Sequence, residues 1–402
     1  MKEISGKKLL WGLFFSALLL RLLFVIVLPL DAGDSPEYDN YALHLLNGLG
    51  FSANLNRPPM YPGFLAGIYF FFGHSFSAVR IVQALLDSVT CLFTFFIGKR
   101  VFGDKRPALL GGLLTAVSPS LIASTSYILT ETLTAFLLAA AVLLLMKAQT
   151  ENKKQGWLLS GVVLGLATLT RPVTILFPFF LLAGFLIFAR RKARAVFMVT
   201  VFCLGMALPI LPWTVRNALV FHRFVPVAVG SGFNLWVGSY LPWDGDYNWK
   251  DLSDSKELVK GLPQIEADRK FFAEGVKNIK QHPADYALLC VKKMGRFWLQ
   301  APGGKQVLDK RPTAKILVFA FQYFLLLFFL FGVFSAWKER NARVCLPVLM
   351  IFYFTFAHLF LLAIPRYHIP VLPLVAAVAG GGLLKILHLK KNEDFNYCPG
   401  PQ

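Results

Sequence analysis

Apolar stretches long enough to cross a bilayer recur along the whole chain, and they leave little alternative to a bundle of membrane helices. About ten such runs, most of about 17–22 residues, lie near 9–30, 79–98, 107–124, 127–146, 157–170, 173–189, 195–212, 314–336, 344–362 and 369–388. A helix of that length crosses about 30 Å of hydrocarbon while satisfying its own backbone hydrogen bonds. The 402 residues are 56% hydrophobic and only 16% charged, too little polar surface for a soluble protein of this size. The expected fold class is an all-α polytopic membrane protein.

The formal net charge of +19 invites a nucleic-acid reading, but its distribution opposes one. Lys7 and Lys8; Lys99, Arg100, Lys105 and Arg106; Lys153 and Lys154; Arg190, Arg191, Lys192 and Arg194; Lys338, Arg340 and Arg343; and Lys390 and Lys391 fall at alternate ends of successive spans. The connections near 119–127, 170–172 and 363–367 carry at most one arginine each. This asymmetry orients the chain with both termini in the cytoplasm. The partner it implies is the lipid bilayer, not nucleic acid. The first apolar run is too long for the core of a signal peptide, and no small-residue cleavage site follows, so it is expected to remain. Cys91, Cys203 and Cys345 lie in spans, Cys398 in the cytoplasmic tail, and only Cys290 outside, which implies no disulfide framework.

Two connections are too long to be turns, and both face outward. The first runs from about 31 to 78 and holds two helical pieces, 38–46 and 61–72, expected to lie in the membrane interface. The second lacks a hydrophilic face and is expected to pack on other helices. The other long connection, about 213–313, opens with a stretch rich in Gly and Trp and continues with helical patterns near 263–281 and 284–299. Its apolar content is too low for an independent core, so it is expected to lean on the bundle. The organisation is thus an N-terminal membrane module, 1–212, an outer-face segment, 213–313, and C-terminal membrane helices with a short tail, 314–402. No internal repeat is visible, so the inverted symmetry of many transporters finds no support.

Charged groups on the outer side stand against the overall trend. Asp31, Asp34, Glu37 and Asp39 crowd the exit of the first span. A carboxylate there can act as a general base, or it can belong to an acidic collar at a helix start marked by Ser35-Pro36-Glu37. Glu131, in Leu129-Thr130-Glu131-Thr132, sits at the outer end of the fourth span. A carboxylate at bilayer depth costs about 2.5–3.5 kcal/mol, so it must face a cavity or a partner. Arg57, Arg171 and Arg366 each lie at an outer membrane face, and Arg216 and Arg223 begin the large outer loop. Guanidinium groups bind phosphate through paired donors; snorkelling or helix capping is the plainer role. Arg21 is mid-span and requires a buried acidic or backbone partner. Asp244-Gly245-Asp246 has the form of a metal-holding acidic pair, but a nucleotide sugar would be on the opposite side of the membrane, so it is read as a turn. Trp236, Trp243 and Trp249 suit stacking on a sugar face or anchoring at the interface. No histidine spacing suits a metal, and there is no P-loop, dinucleotide fingerprint or serine elbow.

Taken together these stretches resemble a known family. Gly33-Asp34-Ser35 with Tyr38, Arg57-Pro58-Pro59-Met60-Tyr61-Pro62, Thr130-Glu131-Thr132 and Thr170-Arg171-Pro172 match it in order. So do Pro212-Trp213-Thr214-Val215-Arg216-Asn217, Gly232-Phe233-Asn234-Leu235-Trp236-Val237-Gly238 and Arg366-Tyr367-His368-Ile369-Pro370. The chain is similar to GT-C membrane glycosyltransferases of the family 39 type, relatives of dolichyl-phosphate-mannose protein mannosyltransferases and of the lipid A aminoarabinose transferase.

The resemblance implies a bacterial inner-membrane enzyme that moves a sugar, with inversion, from a polyprenyl-phosphate donor to an acceptor at the outer face. It implies Asp34 as base, Glu131 near the family's second acidic position, and Arg57, Arg171 and Arg366 as holders of the donor phosphate. Tyr38, Tyr61, Arg216, Trp236 and Tyr367 complete the candidate substrate contacts. No cofactor is expected, and divalent-metal dependence stays open. The chain lacks the large soluble domains of some relatives, which leaves the acceptor and the sugar open. A lipid or polysaccharide transporter, or a non-catalytic envelope assembly protein, is the competing expectation.

Overall fold

The structure is a computed structural model that describes residues 6–30, 33–51, 55–188, 191–247, 252–300 and 312–395. Asp31, Arg190, Trp249 and Cys398 lie outside them. Among the described residues every regular element is helical. In chain order these are α1 (Gly6–Val27), α2 (Ser35–Leu46), α3 (Met60–Phe72), α4 (Phe76–Phe102), α5 (Lys105–Ala116), α6 (Pro119–Ser124), α7 (Glu131–Glu151), α8 (Lys154–Thr170) and α9 (Phe177–Phe188). They continue with α10 (Lys192–Phe221), α11 (Ser231–Ser239), α12 (Ser253–Leu258), α13 (Gln264–Gln281), α14 (Pro283–Leu299), α15 (Pro312–Lys338), α16 (Cys345–Phe360) and α17 (Leu372–Phe395).

Among the described residues seven helical stretches are long and apolar enough to cross a membrane: Gly6–Val27, Phe76–Phe102, Glu131–Glu151, Lys192–Phe221, Pro312–Lys338, Ala342–Phe360 and Pro365–Leu387. The other three expected runs are shorter or broken. The run at 107–124 splits into α5 and α6 because Pro119 cannot donate the backbone bond that would continue α5. The run at 157–170 becomes the 17-residue α8, and 173–189 becomes a 3-10 turn, Pro172–Leu176, followed by α9.

Local chemistry sets several of these boundaries. Ser75 accepts a hydrogen bond from the Ala78 backbone N–H at the start of α4, and Asp104 does the same for Arg106 at the start of α5. Gly103, with φ 73°, turns the chain between them. Helices α8 and α10 approach until backbones touch: a Cβ on Gly161 would lie 2.1 Å from the Phe202 carbonyl oxygen, and one on Gly205 2.1 Å from that of Leu158. Small residues also make α17 central, since Ala376, Ala377, Val378 and Ala379 are buried within the bundle. Such close packing replaces the hydrophobic drive that helices lack inside lipid.

Arg21 has the partner its position demanded. Its guanidinium pairs with Asp87 at 2.6 Å and donates to the Ala17, Ala116 and Thr115 carbonyls. The 213–313 segment, expected to face outward, holds a small unit in which Trp236, Val237 and Phe271 pack with Leu362 at one end of the bundle. Its two expected helices are α13 and α14, and Pro283 stands in the first turn of α14.

Candidate active site

Five separate connections converge at one end of the bundle. Asp34 holds the N-cap position of α2, but its side chain makes no capping bond. The carboxylate turns instead to two arginines. Arg57, in the loop before α3, pairs with Asp34 Oδ1 at 2.9 Å and with Glu37 Oε2 at 2.7 Å. Arg366, in the 3-10 turn Pro365–Val371, pairs with Asp34 Oδ2 through Nη2. Glu131 opens α7 and binds Arg171, the residue that ends α8, at 2.6 Å. Arg171 also donates to Thr130 Oγ1 at 2.8 Å. Arg366 Nε stands 3.7 Å from Glu131 Oε1, joining the two halves.

The product is an alternating chain: Glu37, Arg57, Asp34, Arg366, Glu131, Arg171. Three carboxylates and three guanidiniums cancel formally, which makes the array tolerable beside the hydrocarbon. Aromatic faces support it from below. Arg57 lies over Tyr38 at 4.9 Å, and Arg171 and Arg366 lie over Tyr367 at 4.8 and 6.0 Å. Two buried atoms at its centre, Glu131 Oε2 and Arg366 Nε, have no hydrogen-bond partner among the described residues. Buried polar atoms are nearly always satisfied, so this pair marks where a polar ligand can bind.

Exposure separates the two central carboxylates. The Asp34 side chain is 19% exposed and that of Glu131 is 3% exposed, so Asp34 is the more accessible of the two. Burial pushes the Asp34 carboxyl up, but Arg366 and Arg57 more than offset it and hold it below the usual carboxylate range. Burial works against the charge on Arg57, yet Tyr38, Glu37 and Asp34 keep it above its ordinary value. Burial raises the Tyr38 phenol. The Tyr247 phenol of the outer segment is likewise raised by burial and then by the charge of Asp34, so that segment lies within electrostatic reach of the cluster.

Of the candidate residues read from the sequence, Asp34, Glu131, Arg57, Arg171, Arg366, Tyr38 and Tyr367 come together here. Tyr61 stands one layer behind, edge-on to Tyr38 at 5.1 Å, with its hydroxyl donating to Gln83 at 2.9 Å. Arg216 goes elsewhere: it donates to the Phe51 carbonyl at 2.9 Å and to Asn217 at 3.1 Å, and lies over Trp213. Trp236 is 3% exposed, stacked on Tyr240 and packed against Phe271, so neither face is open to a sugar. Asp39 turns away to His74 and Tyr69. The Asp244-Gly245-Asp246 stretch is a turn with Asp244 at φ 50° and Gly245 at φ 63°. Arg296 and Lys292 of α14 tie its carboxylates. Among the described residues no group of three or more His, Cys, Asp or Glu is placed to hold a metal ion.

Helix α14 contributes what sequence reading missed. Tyr286 donates to the Phe360 carbonyl at 2.9 Å, Cys290 to that of Leu359 at 3.5 Å, and Lys293 to those of Gly238 and Leu361 at 2.8 and 3.1 Å. The Phe297 carbonyl accepts from His368 Nδ1. Positions 286, 290, 293 and 297 form one helix face, and that face grips the segment that carries Arg366. A buried lysine in the middle of an amphipathic pattern is the only trace of this in the sequence.

Comparison with known proteins agrees with the motifs. Residues 56–213 match the family described as dolichyl-phosphate-mannose-protein mannosyltransferase. The apo crystal structure of the Archaeoglobus fulgidus oligosaccharyltransferase superposes with a TM-score of 0.61 at 14% identity, covering 100% of this chain and 53% of that one. The same archaeal enzyme with an inhibitory peptide and a dolichol-phosphate gives 0.53 at 14% identity, covering 97% and 52%. A stretch of 117 residues is 30% identical to an uncharacterized protein of Aquifex aeolicus, covering 29% of this chain and 23% of that protein. The chain thus spans about half the length of the solved structures it matches.

Proposed function

We propose that this protein is a GT-C-type membrane glycosyltransferase, as the family match over residues 56–213 and the shared fold support, and that it transfers a sugar from a polyprenyl-phosphate donor to an acceptor at the outer face of a bacterial inner membrane. The alternating Glu37–Arg57–Asp34–Arg366–Glu131–Arg171 chain carries the proposal. The acceptor is an envelope glycan, lipid or protein. The placement of basic residues at alternate span ends supports cytoplasmic termini and an outward site. In this reading the 1–212 module supplies Asp34, Arg57, Glu131 and Arg171, the C-terminal helices supply Arg366 and Tyr367, and the 213–313 segment faces the acceptor.

The donor is a phosphodiester with one negative charge, and it leaves as a monoester with two. Arg57, Arg366 and Arg171 are placed to bind it and to absorb the added charge, each well-placed donor being worth about 10²–10³ in rate. Asp34 takes the proton of the acceptor hydroxyl or amine as that group attacks the anomeric carbon. The bond from that carbon to the phosphate oxygen breaks on the opposite face, its electron pair goes to the phosphate, and the configuration inverts. Binding also prepares the base. A phosphate that draws Arg57 and Arg366 away leaves burial as the dominant influence on Asp34, and its basicity rises.

The test compares wild type with Asp34→Asn at matched membrane levels, with lipid-linked sugars and outer-face glycans analysed by mass spectrometry. Loss of a general base lowers transfer about 10²–10⁴-fold. One glycan sugar is expected to disappear while the matching lipid-linked sugar accumulates. Unchanged glycans and lipids, under conditions where deletion of the gene alters them, would remove Asp34 as the base and move the transporter reading ahead.

A further inference from the structure

The opposite end of the bundle holds a second, differently built feature. Helix α1 packs tightly from Leu13 onward: Leu13, Ala17, Arg21 and Val25 form its buried stripe. A Cβ on Gly112 would meet Leu13 at 2.7 Å. Toward its N-terminus, where Leu9 and Leu10 are only half-buried, α1 leaves a gap beside α4 and α5. The gap is a groove of about 540 Å³ lined by Gly6, Lys7, Leu9, Leu10, Phe95, Phe96, Lys99 and Lys105. It is one full helix length, about 33 Å, from the end of α1 that leads to Asp34.

Its chemistry is divided in two. Lys7 from the first turn of α1, Lys99 from the last turn of α4 and Lys105 from the start of α5 are exposed. Among the described residues none of the three forms an ion pair, and Asp104 beside Lys105 is engaged in capping the Arg106 N–H. Leu9, Leu10, Phe95 and Phe96 make an apolar wall directly behind them. The positive-inside trend explains lysines at this end of the helices, but not why three from separate elements border one cavity with an apolar wall.

We propose that this groove binds the head group and upper acyl chain of an anionic glycerophospholipid of the leaflet opposite the Asp34 cluster. The volume is within the range of about 300–1,000 Å³ typical of small-molecule sites. Basic pockets between membrane helices on this side suit acidic head groups. A free anion would leave the apolar wall unused, and a neutral lipid would leave the lysines unused. An occupant there wedges the first turns of α1 against α4 and α5.

The test is native mass spectrometry of the purified full-length chain titrated with phosphatidylglycerol, phosphatidylcholine or inorganic phosphate. Phosphatidylglycerol is expected to bind at least tenfold more tightly than phosphatidylcholine. Each lysine is worth about fivefold near a charged lipid, so Lys7→Gln, Lys99→Gln and Lys105→Gln together weaken that binding about a hundredfold. The three Lys→Arg substitutions keep it, which separates loss of charge from loss of fold. Equal affinity for the two lipids, or unchanged phosphatidylglycerol binding in the triple Gln variant, overturns the proposal. Competition by inorganic phosphate at concentrations similar to those of the lipid assigns the lysines to a soluble anion and overturns it too.

Discussion

Two arginine–aspartate pairs in this molecule have the same chemistry and opposite construction. Arg21–Asp87 lies within the membrane spans with both side chains 0% exposed, and its guanidinium also reaches three backbone carbonyls and Cys91. Arg366–Asp34 lies at one end of the bundle with side chains 28% and 19% exposed, and Arg366 Nε has no hydrogen-bond partner among the described residues. The first guanidinium has spent its donors on holding α1 to α4 and α5. The second has one to offer. The Arg21 guanidinium is used up in holding helices together, although Asp87 Oδ1 beside it has no partner among the described residues; Arg366 keeps a free donor next to a carboxylate that is partly exposed.

The comparison can be broken most sharply at the two aspartates. Asp34→Asn is expected to lower transfer about 10²–10⁴-fold while the protein accumulates and melts like wild type. Asp87→Ala leaves Arg21 charged and buried without its partner, at a cost of about 3–5 kcal/mol. Membrane levels and the thermal midpoint should therefore fall before any question of activity arises. If Asp87→Ala is stable and Asp34→Asn is not, the division of roles is wrong.

Arg366→Lys sharpens the same contrast within the site. It keeps the charge but loses the planar pair of donors that spans Asp34 and Glu131, and about a 10²-fold fall in kcat is expected with little change in stability. A pH profile then examines the state of the base. In the free protein Arg366 and Arg57 hold Asp34 below the usual carboxylate range, so the acid limb of kcat/KM should lie at low pH. If donor phosphate draws those arginines away, as proposed, the acid limb of kcat should lie at higher pH. Coincident limbs would mean that the arginines stay on Asp34 throughout.

The smallest effect is expected at Lys293, which anchors α14 to the segment preceding Arg366. Burial pushes this lysine down to about 8 from an unfolded value of about 10.4. Between those values the unfolded chain binds more protons than the folded one, so stability rises with pH across that window. Lys293→Met should lose two buried hydrogen bonds, about 1–3 kcal/mol, and abolish that slope in thermal midpoints measured from pH 7 to pH 10.

Much of the candidate site was legible because its residues violate a rule. On the charge-asymmetry reading Arg57, Arg171 and Arg366 fall at span ends where arginine is unexpected, and Asp34 and Glu131 sit at span ends where carboxylates are costly. Arg216 obeyed the same signal, yet it ties α10 to the Phe51 carbonyl, because an arginine's placement at a face does not say which way the side chain turns. Trp236 likewise looked available for stacking and is buried among aromatic rings. Glu37, read as part of an acidic collar, became the terminal carboxylate of the chain through Arg57. The grip of α14 was not legible, since its partners are backbone carbonyls that no side-chain pattern reports.

Hydropathy and charge asymmetry determined by themselves that this is a bundle of membrane helices, and which residues share one end of it. Both are properties of residues against solvent and lipid, and they need no knowledge of neighbours. Only the tertiary structure decided that Asp34 meets Arg366 across 332 positions of sequence, that Arg21 is sealed by Asp87, and that α1 parts from α4 to leave a lysine-lined groove. Those depend on how helices cross and where glycine lets them touch, and packing geometry is a property of pairs that single-residue preferences do not contain.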